Sequence, residues 1–166
     1  MKRRMFVASL ALAALALVGL AGSAAAGEEV PFRGRLEGVV TRGIPYFPYI
    51  DILVEGTGEA TQLGEFAFIF PHTVYIPTRT ASGTYHIVAA NGDRLTATGT
   101  GVATDAPTPG FLYIVETLTI DPDASTGRFA GATGSFTVER LYDGGNPGLT
   151  FGSFAGTISS PGSDNP

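Results

Sequence analysis

The sequence contains no cysteine in its 166 residues. This absence excludes disulfide bonds, thiolate nucleophiles, cysteine–zinc sites and lipid attachment through cysteine. An exported chain without disulfides must be held together by its hydrophobic core, and a closed sheet is one good way to build such a core.

The common catalytic and cofactor-binding motifs are also missing. There is no G-x-S-x-G, phosphate-binding loop, H-E-x-x-H or dinucleotide fingerprint. The two histidines, His72 and His86, would need a carboxylate to complete a metal site. We therefore expect no metal and no cofactor, and we favour a protein without catalytic activity.

The first 26 residues have the three parts of a signal peptide. A basic start, MKRR, precedes an apolar run, and Ala24 and Ala26 occupy the −3 and −1 positions of an A-x-A cleavage site. We expect cleavage after Ala26, a secreted or periplasmic location, and no stable membrane span after cleavage. An uncleaved N-terminal anchor is the alternative. We expect one domain over residues 27–159 and a disordered tail over 160–166.

The predicted mature chain is acidic. Three of the ten basic residues lie in the signal peptide, which leaves seven against fifteen acids and a net charge of −8. Such a chain repels phosphate backbones, so we expect no nucleic-acid partner. It also has no polybasic patch for anionic lipids.

Apolar residues alternate with polar ones through the mature chain, in pieces separated by Gly, Pro, Asn and Asp. The pattern predicts eight strands, at 32–41, 50–58, 65–76, 83–90, 93–104, 111–120, 134–141 and 149–159. Residues 43–49, GIPYFPY, are predicted to be a connection, because proline cannot donate to a strand ladder. Asn91-Gly92 predicts a hairpin with a type I′ turn.

Eight antiparallel strands in about 140 residues favour an all-β, up-and-down β-barrel of the calycin-like kind. Closing a small barrel requires sharp coiling, which the glycines inside the strands would permit. A β-sandwich or a jelly roll would also accommodate this number of strands.

Residues 125–136, STGRFAGATGSF, carry a resemblance to a known family. They resemble the GTGxFxxAxGxx signature of the allene oxide cyclase and dirigent superfamily of eight-stranded barrels, and residues 50–159 look most like an uncharacterised, exported bacterial branch of it. The resemblance implies a barrel and a homo-oligomer, a trimer. Gly127 and Gly134 supply backbone angles that other residues disfavour, and Phe129 is predicted to plug one end.

Three residues are candidates for binding or chemistry. Glu116 shares a strand face with aliphatic residues, so inside a barrel it would act as an acid or base, or bind a polar group of a ligand. Arg140 is its candidate partner, and Tyr113 is a candidate assistant. The alternatives are a Glu116–Arg140 pair that only stabilises the fold, or an outward-facing strand face, because both faces of 111–120 are largely apolar.

We expect an exported, non-catalytic barrel that either binds a small apolar ligand or serves simply as a stable module that associates with itself or with another surface. One rival is a cyclase or isomerase that acts on an apolar substrate through Glu116. The other is an interaction module with an exposed aromatic patch around 46–49. The deciding observation is whether Glu116 faces a cavity or an interior filled by phenylalanine.

Overall fold

The computed structural model describes residues 27–146 and 148–159. The predicted signal peptide and its cleavage site, at 1–26, and the predicted tail, at 160–166, lie outside the described residues. Among residues 27–146 and 148–159, no helix has the length and apolar character needed to cross a membrane.

The chain forms eight antiparallel strands that close into an up-and-down barrel, as the alternation predicts. Each strand pairs with the next along the chain, and β8 pairs with β1 from Glu29↔Ser159 to Val39↔Leu149. Closure leaves no free edge over that length. The strands are β1 Glu29–Tyr46, β2 Tyr49–Ala60, β3 Gly64–Tyr75, β4 Thr80–Ala89, β5 Arg94–Asp105, β6 Phe111–Ile120, β7 Gly134–Asp143 and β8 Leu149–Ser159.

Aromatic side chains fill one half of the barrel. Phe32 packs edge-on against Phe136, with ring centroids 5.2 Å apart, and lies 5.0 Å from the ring of Phe154. Phe66 and Phe68 extend the cluster from β3. In this half the interior is therefore a packed core with no room for a ligand.

Inward-facing glycines make the space that these rings occupy. A Cβ atom at Gly34 would lie 2.6 Å from Cζ of Phe154, and one at Gly56 would lie 2.7 Å from Cε1 of Phe68. Both distances are shorter than carbon atoms tolerate. The glycines of β1 and β2 thus face the large rings of β3 and β8.

The STGRFAGATGSF segment closes the packed end. Gly127–Phe129 forms a single 3₁₀ turn, and Phe129 is 0% exposed within the core cluster. Gly127 and Gly134 have φ angles of +63° and +138°, in the region where residues with a Cβ atom are strained. The prediction that Phe129 plugs one end and that these two glycines shape its loop is confirmed.

The predicted connection over 43–49 is wrong. β1 continues to Tyr46 and β2 begins at Tyr49, so only Phe47 and Pro48 join the two strands. Pro45 pairs with Ile50 on one side, but β1 has no β8 partner beyond Val39. Pro45 therefore lies where β1 is locally an edge strand, and its missing N–H costs no ladder bond.

The hairpin at Asn91-Gly92 is present, but its turn is not type I′. Only Gly92 has a positive φ, at +90°, and its N–H donates to the carbonyl oxygen of Ala89 at 2.9 Å. The Ala89 N–H in turn donates to the carbonyl oxygen of Asp93 at 2.9 Å. The loop between Ala89 and Asp93 therefore has three residues, 90–92, instead of two, and a three-residue hairpin loop needs a positive φ only at its last residue, Gly92.

Candidate functional site

The half of the barrel opposite Phe129 contains a pocket of about 360 Å³. It lies inside the sheet, at the end where the β1–β2, β3–β4, β5–β6 and β7–β8 connections meet. Its size falls in the range of small-molecule sites, and an eight-stranded barrel has room for one such ligand. The aliphatic lining comes mainly from β2, from β3 and the residue that follows it, and from β6: Ile50, Ile52, Val74, Ile76, Leu112 and Ile114.

A buried ion pair lies at the inner end of this aliphatic lining. Nη2 of Arg140 is 2.7 Å from Oε1 of Glu116, and Nε is 3.1 Å from Oε2, so the guanidinium binds both carboxylate oxygens. Glu116 on β6 reaches Arg140 on β7 because Glu116 pairs with Val138, two residues from Arg140 on the same strand face.

Two hydroxyl groups complete the pair. The Tyr85 hydroxyl donates to Oε2 of Glu116 at 2.9 Å, and Nη1 of Arg140 donates to Oγ1 of Thr150 at 3.0 Å. Thr150 donates onward to the carbonyl oxygen of Leu141 at 2.8 Å. Within the described part of the chain, no buried side-chain nitrogen or oxygen lacks a hydrogen-bond partner. Complete hydrogen bonding offsets part of the free-energy cost of removing the two charges from water.

The pair fixes the charge states around it. Burial is the largest single effect and acts to lower the pKa of Arg140, but the charges and hydrogen bonds of Glu116 and Tyr85 together outweigh it, so the pKa lies above its ordinary value. Burial, followed by the charge of Glu116, raises the pKa of Tyr85 well above its ordinary value. Arg140 is thus held charged and Tyr85 neutral, so the pair and its tyrosine carry no net charge.

His72 is the other buried polar residue of the pocket lining. Its ring stacks on Phe70 with centroids 4.3 Å apart, and Phe70 stacks on Tyr85 at 3.9 Å. Nδ1 lies 3.1 Å from the carbonyl oxygen of Phe70. Burial lowers the pKa of His72 below its ordinary value of 6.5, against the opposing effect of that hydrogen bond. The imidazole is therefore neutral at neutral pH.

Two of the three candidate residues from the sequence, Glu116 and Arg140, are in contact, and the third, Tyr113, is not part of the site. Glu116 and Arg140 both face the barrel interior and bind each other. Tyr113 is an odd number of residues from Glu116, so it lies on the outer face of β6, where it pairs with Thr104 and Leu141. It contributes no side chain to the pocket.

Three residues at the site were not predicted from the sequence: His72, which lines the pocket, and Tyr85 and Thr150, which bind the ion pair. For two of them a signal was present. His72 follows Phe66, Phe68 and Phe70 at two-residue spacing, which places it on the same inward face. Tyr85 stands two residues before the buried Ile87 in the same way. Thr150 had no comparable signal, because its role depends on the position of Arg140 across the β7–β8 pair.

The aromatic residues at this end of the barrel form an exposed lip on the outer face of the sheet rather than a lid, since none of them lines the pocket. The ring of Tyr46 is tilted against that of Tyr49, and Tyr49 against Tyr75, with ring centroids 5.8 Å and 5.3 Å apart. Phe47, at the tip of the hairpin, is 83% exposed. These rings therefore leave the pocket open.

A larger groove, of about 970 Å³, lies on the outer surface over β1–β4. It is broad and open to solvent, and its charged residues include the exposed pair Arg35–Glu59, at 2.9 Å. Enclosure and buried polar groups mark a ligand site better than volume does. We therefore take the inner pocket as the candidate site.

Comparisons with models of protein families, with curated proteins and with solved structures found no match to this chain. Within residues 27–146 and 148–159, no group of three or more potential metal ligands comes together.

Proposed function

We propose that this chain is an exported, non-catalytic β-barrel that binds a small apolar ligand in its open half. The observation that carries the proposal is the division of the interior: phenylalanine fills one half, and the other holds a pocket of about 360 Å³ with a mostly aliphatic lining. Burying a ligand's apolar surface there would stabilise the complex by roughly 25 cal/mol per Å² before the costs of association.

The bonding of Glu116 favours binding over catalysis. Its carboxylate accepts hydrogen bonds from Arg140 and from Tyr85, so moving a proton to or from a substrate would first require breaking this cluster. A fully engaged ion pair supports the shape of the pocket instead. For this reason the cyclase or isomerase alternative is less well supported.

The sequence supports the remaining parts of the proposal. The basic and apolar start of the chain, with its A-x-A site, supports export. The likeness of residues 125–136 to the allene oxide cyclase and dirigent signature supports membership of that superfamily, and by analogy a trimer.

Native mass spectrometry of the protein exported by a bacterial host would test the proposal. We expect the wild type to retain a small apolar molecule or to take one up. Ala103→Phe should abolish this adduct, because Ala103 lines the pocket. The control is Thr104→Phe, since Thr104 is the exposed neighbour on the opposite face of β5. An adduct that survives Ala103→Phe, or the absence of any adduct with added apolar compounds, would contradict the proposal.

A second function, interaction with another protein surface, is favoured by the aromatic lip. Phe47 is 83% exposed and adjoins the exposed rings of Tyr46 and Tyr49, and a contiguous exposed apolar patch marks an interaction surface. The same spectra report the oligomeric mass. If the lip mediates self-association, Phe47→Ser should shift the oligomer towards monomer and leave ligand binding intact.

A further inference from the structure

The ring nitrogens of His72 have different roles. Nδ1 lies 3.1 Å from the Phe70 carbonyl oxygen, which only accepts hydrogen bonds, so Nδ1 carries the proton. In a neutral imidazole Nε2 then has a free lone pair and acts as an acceptor. His72 is 8% exposed, so this lone pair belongs to a side chain that is more than nine-tenths buried.

Nε2 has no hydrogen-bond partner among the described residues. Every fully enclosed side-chain nitrogen and oxygen of those residues has one, so Nε2 is not fully enclosed. His72 faces the interior on β3 and lines the pocket, and the accessible space beside it is therefore the pocket. The pocket thus contains a buried acceptor that a ligand can reach.

The charges that line the pocket are all compensated. Arg140 and Glu116 bind each other, and Arg79, at the mouth, binds Asp105 at 2.7 Å. A ligand carboxylate at the inner end would lose its hydration and would have to compete with Glu116 for Arg140. A ligand ammonium group would likewise have to displace Arg140 from Glu116. The lining therefore favours a ligand without formal charge.

We infer that the ligand is an uncharged molecule with an apolar body and a hydroxyl group at its buried end, and that Nε2 of His72 accepts the hydrogen bond of that hydroxyl. This inference rests on the proposed ligand site. A hydroxyl supplies the donor that the free lone pair lacks, while the aliphatic lining contacts the rest of the molecule. His72 is then the residue that determines specificity.

Three probes with a ten-carbon alkyl chain but different polar groups distinguish a hydroxyl ligand from a charged ligand and from one without a donor: decanol, decanoate and decyl methyl ether. We would titrate each into the exported protein by calorimetry at about pH 8, where histidine is neutral. Decanol should bind roughly tenfold more tightly than the ether, which has no donor, and more tightly than decanoate. This comparison needs only the wild-type protein, so it remains decisive if a variant fails to fold.

Variants of His72 test the assigned atom. His72→Phe preserves the stacking on Phe70 but removes the acceptor, so the preference for decanol over the ether should disappear. His72→Gln keeps an acceptor oxygen and should restore part of the preference. His86→Gln is the matched control, because His86 is exposed on the outer face of β4, and it should change nothing.

The outcomes distinguish the two levels of the proposal. If decanol and the ether bind equally, or decanoate binds best, the role of His72 is overturned while the pocket remains a ligand site. If none of the three probes binds, both the ligand site and the role of His72 are overturned. A decanol preference that persists in His72→Phe overturns the assignment to Nε2.

Discussion

Nη2 of Arg140 lies 2.7 Å from Oε1 of Glu116, and the two side chains are only 4% and 3% exposed. This pair stands at the boundary between the two halves of the barrel interior. On one side of it the phenylalanine core excludes a ligand, and on the other the aliphatic pocket opens to solvent. The pair thus forms the inner end of the proposed binding site.

Removing one member of this pair should destabilise the protein strongly. Glu116→Gln leaves the buried Arg140 charge without its counter-ion, and we expect the free energy of unfolding to fall by about 3–5 kcal/mol. The measurement is urea denaturation followed by circular dichroism. The double variant Glu116→Leu/Arg140→Met removes both charges and should recover most of the loss.

An exposed pair provides the control. Arg35 and Glu59 are 2.9 Å apart but 79% and 61% exposed, so Glu59→Gln should cost less than about 1 kcal/mol. Equal losses for Glu59→Gln and Glu116→Gln would show that burial of the Arg140 pair does not matter.

His72 should make stability depend on pH. Burial lowers the pKa of His72 in the folded state, whereas in the unfolded chain it lies near 6.5. The unfolded state therefore binds the proton first, and stability is lost as the pH falls below about 6.5 until the folded state is protonated as well. Subtracting the pH profile of His72→Phe from that of the wild type isolates this contribution. The difference should decrease at acid pH, and a constant difference would contradict the account.

Two glycines of β1 should respond differently to an added methyl group. A Cβ atom at Gly34 would lie 2.6 Å from both Cζ of Phe154 and the backbone oxygen of Glu59, whereas at Gly43 the nearest atom is Cδ1 of Ile50, at 3.7 Å. We expect Gly34→Ala to lower the thermal midpoint and to cost about 1–3 kcal/mol. Gly43→Ala should be close to neutral. Similar midpoints for the two variants would mean that the packed half of the barrel is looser than described.

The closed end depends on Phe129. Phe129→Ala removes a ring that is 0% exposed and leaves a cavity, so the free energy of unfolding should fall by about 3–5 kcal/mol. Phe47→Ala removes an equal ring that is 83% exposed and should change stability little. Chemical denaturation of both variants makes the comparison. A small effect of Phe129→Ala would show that this residue does not close the barrel.

The sequence predicted the fold well because the strands alternate cleanly. Phe66, Phe68 and Phe70 at two-residue spacing identify an inward face without any structure. The same rule does not determine which face of β6 points inward, since both are apolar there. In the structure, the face that carries Glu116 and Leu118 lies opposite Val138 and Phe136 of β7, which belong to the core.

The sequence left open whether the interior beside Glu116 is a pocket or is filled by phenylalanine. The pocket exists because the rings of β3 and β8 stop short of the open end, which depends on rotamers and on the closure between β1 and β8. His72 likewise lies in a three-ring stack that includes Phe70 and, from β4, Tyr85. Side-chain contacts between strands that are far apart in the sequence leave no pattern in the local sequence from which they could be predicted.

The central claim, that the open half holds an apolar ligand, is tested most directly by methyl NMR during a titration with decanol. The isoleucine methyl groups report both halves at once, because Ile52 and Ile114 line the pocket while Ile87 and Ile120 lie in the packed core. The account predicts saturable shifts of Ile52 and Ile114 with little change at Ile87 and Ile120. No shift at Ile52 and Ile114, or equal shifts at the exposed Ile69, would contradict it.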